Sequence, residues 1–128
     1  SQATKLKISN KVSFLGFKSP PFKYMKHADV FALTSRYEGF PNVVLESLAV
    51  GCPVVAFNCP GGIEEIIDDG INGFKVMPGN IESYAKSLIK ASEAKFDSNE
   101  IIDSIRKKFG LKKIISQYEE ILDINWRL

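Results

Sequence analysis

Residues 29–62 read DVFALTSRYEGFPNVVLESLAVGCPVVAFNCPGG, and the architecture turns on this stretch. DVFALT (29–34) and PVVAF (53–57) are short, nearly all-apolar runs, the composition of strands buried on both faces. Between them PNVVLESLAV (41–50) reads as a helix. Pro41 suits its first position, and Gly51 suits its C-terminal stop. Strand, helix and strand in that order make a βαβ unit and predict a parallel sheet.

The alternation continues on both sides. VSFLGF (12–17) reads as an earlier strand and GFKVM (73–77) as a later one. PPFKYMKHA (20–28) and GGIEEIID (61–68) are short and helix-like. From Ile81 onward the pattern is helical only. IESYAKSLIKASEA, SNEIIDSIRKKF and LKKIISQYEEILDINW each repeat apolar residues at three- and four-residue intervals. The expected class is α/β: a parallel sheet with flanking helices and a helical C-terminal segment. The chain reads as a single partial domain, 1–128, with a βαβ core over 11–77 and C-terminal helices over 80–128. Residues 1–9 resemble the end of a helix whose beginning is absent.

Composition removes several classes of function. The chain has 128 residues, 45% of them hydrophobic, enough for a real core. Seventeen Lys and Arg against fifteen Asp and Glu leave a net charge of +2, without the basic excess of a nucleic-acid binder. The cluster of Arg106, Lys107, Lys108, Lys112 and Lys113 reads as a solvated helix face. Cys52 and Cys59 lack Cys-x-x-Cys spacing and read as buried free thiols in a reducing compartment. His27 is the only histidine, so a His-based metal cluster or a Ser-His-Asp triad has little to work with. No apolar run approaches the ~20 residues of a membrane span, and SQATKLKISN (1–10) lacks the hydrophobic stretch of a signal peptide.

In an open parallel sheet, ligands bind beyond the carboxyl ends of the strands. Two turns meet that description: SRYEGFPN (35–42) and NCPGG (58–62). Glu38 lies in the first, where the amides of Gly39, Phe40, Asn42 and Val43 are free to point at a ligand. Gly39 permits close approach, and the helix dipole favours a phosphate. Glu46 follows about one and a half turns into the helix and leans back toward its mouth. Its neighbours Val43, Val44, Leu45, Leu48, Ala49 and Val50 predict burial almost all round. A buried carboxylate without a partner costs several kcal/mol or stays protonated. Two acceptor-only carboxylates beside a ring of amide donors suit a ligand with hydroxyls at both ends and phosphates between. A nucleotide sugar is such a ligand. Plainer readings stand beside this one: Glu38 as a turn residue, Glu46 ion-paired to a neighbouring helix, and Gly61-Gly62 as a tight turn with Glu64 and Glu65 complementing the dipole. The residues alone leave these open.

VSFLGF together with ADVFALTSRYEGFPNVVLESLAVGCPVVAFNCPGGIEEIIDDGINGF (28–74) resembles the C-terminal donor-binding domain of group 1 retaining glycosyltransferases. The resemblance covers about residues 11–77. Glu38, seven residues and then Glu46 reproduce the family's Glu-(seven residues)-Glu motif, with EGFPN and GCPVV in register. It implies the Rossmann-like half of a two-domain fold. The implied activity is transfer of a sugar from a nucleotide-sugar donor with retention, in polysaccharide or lipopolysaccharide biosynthesis. The alternatives are a non-catalytic remnant or nucleotide-binding module of the same fold, and a glycoside hydrolase with Glu38 and Glu46 as acid and nucleophile.

The resemblance also implies residue roles. Glu38 would be catalytic, contacting the transferred sugar. The amides of Gly39, Phe40 and Asn42 would bind sugar hydroxyls, and that of Val43 the distal phosphate. Glu46 would hold the ribose hydroxyls, with Phe17 and Lys18 near the base. No metal or cofactor is implied, and a UDP-sugar is the expected donor. The family's Arg and Lys for the diphosphate come from a strand-helix unit not present here, and its N-terminal acceptor domain is missing. The isolated chain is therefore expected to be inactive. The expected setting is the cytoplasm, with the full enzyme peripheral to the cytoplasmic face of the membrane. In the family's strand order 3-2-1-4-5-6, segment 12–15 is the third strand, and 30–33, 53–56 and 73–76 are the fourth to sixth. Strand 30–33 then has an open edge, expected to be closed by segment 12–15 or by a second copy of the chain.

Overall fold

A computed structural model of the chain describes residues 1–18, 21–37, 39 and 41–109. The elements run α1 (Gln2–Lys5), a 3-10 turn (Ser9–Lys11), α2 (Phe22–His27), β1 (Phe31–Leu33), α3 (Asn42–Ala49) and β2 (Val54–Phe57). They continue with α4 (Ile63–Ile66), β3 (Gly73–Val76), α5 (Ile81–Glu93) and α6 (Ser98–Phe109). The strands form a parallel sheet in the order β1-β2-β3, with Phe31 opposite Val54 and Val54 opposite Gly73. The α/β class is as expected. The helix expected over 111–126 lies outside the described residues.

All four residues of β2 are buried, and successive side chains alternate between two cores. Val54 and Ala56 join α3, α4 and α6 on one face, with Val44, Leu48, Ile63, Ile66, Ile101 and Ile105. Val55 and Phe57 join Val76 and the α5 residues Tyr84 and Ala91 on the other. Gly73 opens β3 with φ 155°, and a Cβ there would lie 1.8 Å from the Val54 carbonyl oxygen. The sheet closes at that point only around a glycine.

Polar side chains set the helix ends. Asn80 accepts from the Ser83 amide at 3.0 Å to start α5, and Asp97 accepts from the Asn99 amide at 2.8 Å to start α6. Asn72, fully buried, ties the turn before β3 to α4 and α6. Its Nδ2 donates to the Ile66 carbonyl at 3.0 Å and to Ser104 Oγ at 2.9 Å, and its Oδ1 accepts from the Asp68 amide at 2.8 Å.

Two expectations need correction. Segment 12–17 is not a strand: it pairs with nothing in the sheet, and Phe14 and Phe17 are 81% and 92% exposed. A strand persists only where a neighbour takes up its N–H and C=O groups, and among the described residues this segment lies against no such neighbour. Nor does it close β1, whose second edge has no partner among the described residues. Helix 61–68 is also shorter than expected. It ends at Ile66 because Ile67 turns extended, at φ −92° and ψ 123°, and is itself fully buried.

Candidate functional site

The two turns singled out above leave the carboxyl ends of adjacent strands, β1 at Leu33 and β2 at Phe57. They meet in space: a Cβ on Gly62 would lie 3.6 Å from Pro41 Cδ. Gly62, at φ 108°, is the N-cap of α4, and its left-handed backbone lets the second turn fold against the start of α3. The mouths of α3 and α4 therefore converge.

At the α3 mouth, the Val44 and Leu45 amides donate to the Pro41 carbonyl at 3.0 and 3.3 Å. The Asn42 and Val43 amides have no acceptor among the described residues, and no side chain caps the helix. They are orphan donors at the positive end of the dipole. Gly39 is exposed, with open space where a side chain would project.

α3 is not buried all round, contrary to expectation. Val44, Leu45, Ser47 and Leu48 face the core. Asn42 and Ala49 are exposed, and Val43, Glu46 and Val50 are half-buried. The helix packs one face only, and Glu46 lies on the open one, a turn beyond Asn42. Burial pushes the Glu46 carboxyl above its ordinary value. No hydrogen bond or ion pair reaches it among the described residues, where the charged pairs are Lys75–Glu64, Lys86–Glu82, Arg106–Asp103 and Lys108–Asp68. The ion-paired reading of Glu46 thus finds no partner there. The far end of α3 is pinned by Ser47 Oγ, which donates to the Cys52 carbonyl at 3.1 Å. Cys52 and Cys59 are both buried free thiols, as expected.

Beyond the second turn, Asn58 Nδ2 donates to Glu64 Oε2, and Lys75 Nζ lies 3.3 Å from Glu64 Oε1. The Asn58 hydrogen bond, and then Lys75, hold Glu64 below the usual carboxylate range. Glu64 is thereby occupied within the chain, in contrast to Glu46.

Glu38 and Phe40 lie outside the described residues. Phe17 and Lys18 are exposed on the unpaired segment and make no hydrogen bond or ion pair among the described residues. Asn42, Val43 and Glu46 lie within the first five residues of α3, and Gly39 precedes the helix on the exposed turn that leads into it. Sequence reasoning missed Tyr84, whose single hydroxyl hydrogen is shared between the Leu33 and Val55 carbonyl oxygens, at 3.0 and 2.8 Å. The spacing of Tyr84, Leu88 and Ala91 marks its ring as core, but nothing in the sequence signals where the hydroxyl goes. Among the described residues there is no cluster able to hold a metal ion, and no helix long and apolar enough to cross a membrane.

A parallel sheet with two convergent helix mouths at its carboxyl edge is the ligand-binding layout of doubly wound α/β proteins. This chain belongs to the glycosyl transferases group 1 family, whose family model matches residues 1–108. It is 32% identical over 123 residues to an uncharacterized glycosyltransferase of Haemophilus influenzae, covering 94% of this chain and 35% of that protein. It is 29% identical over 112 residues to the lipopolysaccharide 1,6-galactosyltransferase of Salmonella typhimurium, covering 83% of this chain and 31% of that one. Among solved structures, Anabaena Alr3699/HepE in complex with UDP superposes with a TM-score of 0.74 at 30% identity, covering 95% of this chain and 35% of its own. The same Anabaena protein in complex with UDP-glucose superposes with a TM-score of 0.65. The chain thus spans about a third of the length of the proteins it matches.

Proposed function

We propose that this chain is the donor-binding part of a retaining glycosyltransferase that takes its sugar from a nucleoside diphosphate, with UDP as the nucleotide. One observation carries the reading: a half-buried carboxylate stands about one turn from two amides at the helix mouth, all three without a partner among the described residues. Ribose hydroxyls would give Glu46 the donors it lacks. The diphosphate would take the Val43 amide and the helix dipole, and sugar hydroxyls the amides of Gly39, Phe40 and Asn42. Glu38 would orient the transferred sugar, and Phe17 and Lys18 would lie toward the base. UDP and UDP-glucose in the Anabaena neighbour support a nucleotide-sugar ligand.

In this reading the leaving diphosphate gathers charge as the sugar becomes oxocarbenium-like. Preorganised amides at the helix mouth stabilise that charge, each such donor being worth about 3 kcal/mol. The chemistry calls on neither metal nor cofactor. The Salmonella relative points to a lipopolysaccharide-type acceptor, reached at the cytoplasmic face of the membrane. Residues 1–128 alone are proposed to bind the donor without transferring its sugar.

Calorimetric titration with UDP, GDP and ADP tests the reading. UDP is expected to bind most tightly, and Glu46→Ala to weaken it about tenfold or more, the value of a charged hydrogen bond. Glu38→Ala should weaken UDP less, because UDP carries no sugar. Equal losses in the two variants would contradict the assigned roles, and absence of any nucleotide heat would contradict the function.

A further inference from the structure

Tyr84 stands on α5, across the sheet from α3 and α4, and is 6% exposed. Its ring packs on Phe57 with centroids 4.6 Å apart. Its hydroxyl sits between two adjacent strands, 3.0 Å from the Leu33 carbonyl oxygen and 2.8 Å from that of Val55. Burial pushes its pKa up to about 12, so the hydroxyl stays a donor throughout the neutral range.

The two carbonyls are unequally anchored. Val55 is fully buried in the central strand. Leu33 is the last residue of β1, an edge strand of three residues paired only to β2 among the described residues. Immediately after Leu33 the chain enters the turn that leads through Gly39 to the α3 mouth. A phenylalanine would supply the same ring to the same core. The hydroxyl adds a directional tie from the firm strand to the exit of the weak one, and a buried hydroxyl is tolerated only with such partners.

We infer that Tyr84 is a positioning residue for the donor site: its hydroxyl, held by the Val55 and Leu33 carbonyls, fixes how the chain leaves β1 and so sets the Gly39 amide against the α3 mouth. The inference rests on the donor-site reading above. Among the described residues, the hydrogen bonds and ring contact of Tyr84 go to Leu33, Val55 and Phe57 and none to the mouth. Its effect is therefore confined to the turn it aims, while the Asn42 and Val43 amides, held by α3, are independent of it.

Tyr84→Phe, which keeps the ring, tests this by amide hydrogen exchange with and without saturating UDP-glucose. In the wild-type chain UDP-glucose should protect residues 34–37 and Gly39 as well as Asn42 and Val43. In the variant, UDP affinity should stay within twofold and protection at Asn42 and Val43 should remain. Protection at 34–37 and Gly39 should fall at least fivefold. Equal protection of that turn in both proteins at equal saturation would overturn the inference. So would a parallel loss at Asn42 and Val43, the mark of general loosening. A wild-type chain that neither binds UDP-glucose nor gains protection from it would instead strike down the donor-site reading, and the positioning role would fall with it.

Discussion

Glu46 stands one helical turn beyond Asn42 on the open face of α3, half-buried and without a hydrogen bond or ion pair among the described residues. Burial raises its pKa above the ordinary 4.5, so the folded chain holds this proton more tightly than the unfolded chain. Between that value and the raised one, the native state binds more protons. Stability therefore falls as pH rises through the window. Glu46→Gln should remove this slope and melt above wild type at neutral pH. Urea unfolding of both proteins at several pH values from the ordinary carboxylate value to neutrality checks it. Identical profiles would show that Glu46 feels no burial.

Asn72 carries a purely structural load. Asn72→Leu loses three side-chain hydrogen bonds and leaves the Ile66 carbonyl and the Asp68 amide without them. The expected cost is about 2–4 kcal/mol. Ser104→Ala removes one of the three and should cost about 1 kcal/mol. Because the two side chains share a bond, the double variant should cost less than the sum. Denaturant midpoints of the four proteins measure the coupling.

Gly73→Ala should be the more severe change. Its Cβ would enter the Val54 carbonyl at 1.8 Å, which cannot be relieved without parting β2 from β3. A loss above about 4 kcal/mol is expected, at the extreme of single substitutions. Soluble yield and a thermal melt suffice to see it; a near-native melt would mean the strands tolerate separation.

The open edge of β1 gives a prediction about assembly. The Phe31 amide donates inward to Pro53 at 2.8 Å, so strand alternation turns the Ala32 amide toward the open side. We expect the wild-type chain to self-associate through this edge as concentration rises. Ala32→Pro removes the outward donor and spares the inward ladder, a position where an edge strand accepts proline. It should sediment as a monomer at concentrations where wild type does not. Wild type that is monomeric throughout would refute pairing through β1.

Much of this architecture was legible where local and long-range signals agree. α6 runs over Ser98–Phe109, the stretch its periodicity marks, because Ile101 and Ile105 bury as the pattern requires and Asp97 caps the start. β2 was legible because a central strand buried on both faces leaves an unbroken apolar run. VSFLGF carries the same local signature and fails, since strand formation depends on a neighbour that no local pattern reports. The α3 mouth could be read from Gly39, Pro41 and the helix start, but the exposure of Glu46 could not. Apolar content on every side of the helix hid the fact that only one face finds a core. Tyr84 and Asn58 were illegible for another reason: their polar atoms act on groups distant in sequence or on another element.

The unpaired N-terminal segment has a consequence for proteolysis. Neither α1 nor the 3-10 turn contributes a buried residue, and Val12, Phe14, Leu15 and Phe17 are exposed. Trypsin at Lys11 or Lys18, or chymotrypsin at Phe14 or Phe17, meets chain that can be drawn into a protease cleft without opening the sheet. Cleavage there sheds the segment and severs no contact of either core. The product trimmed after Lys18 should keep its melting temperature, and its loss of affinity for UDP, set against that for inorganic diphosphate, measures what Phe17 and Lys18 contribute to holding a base.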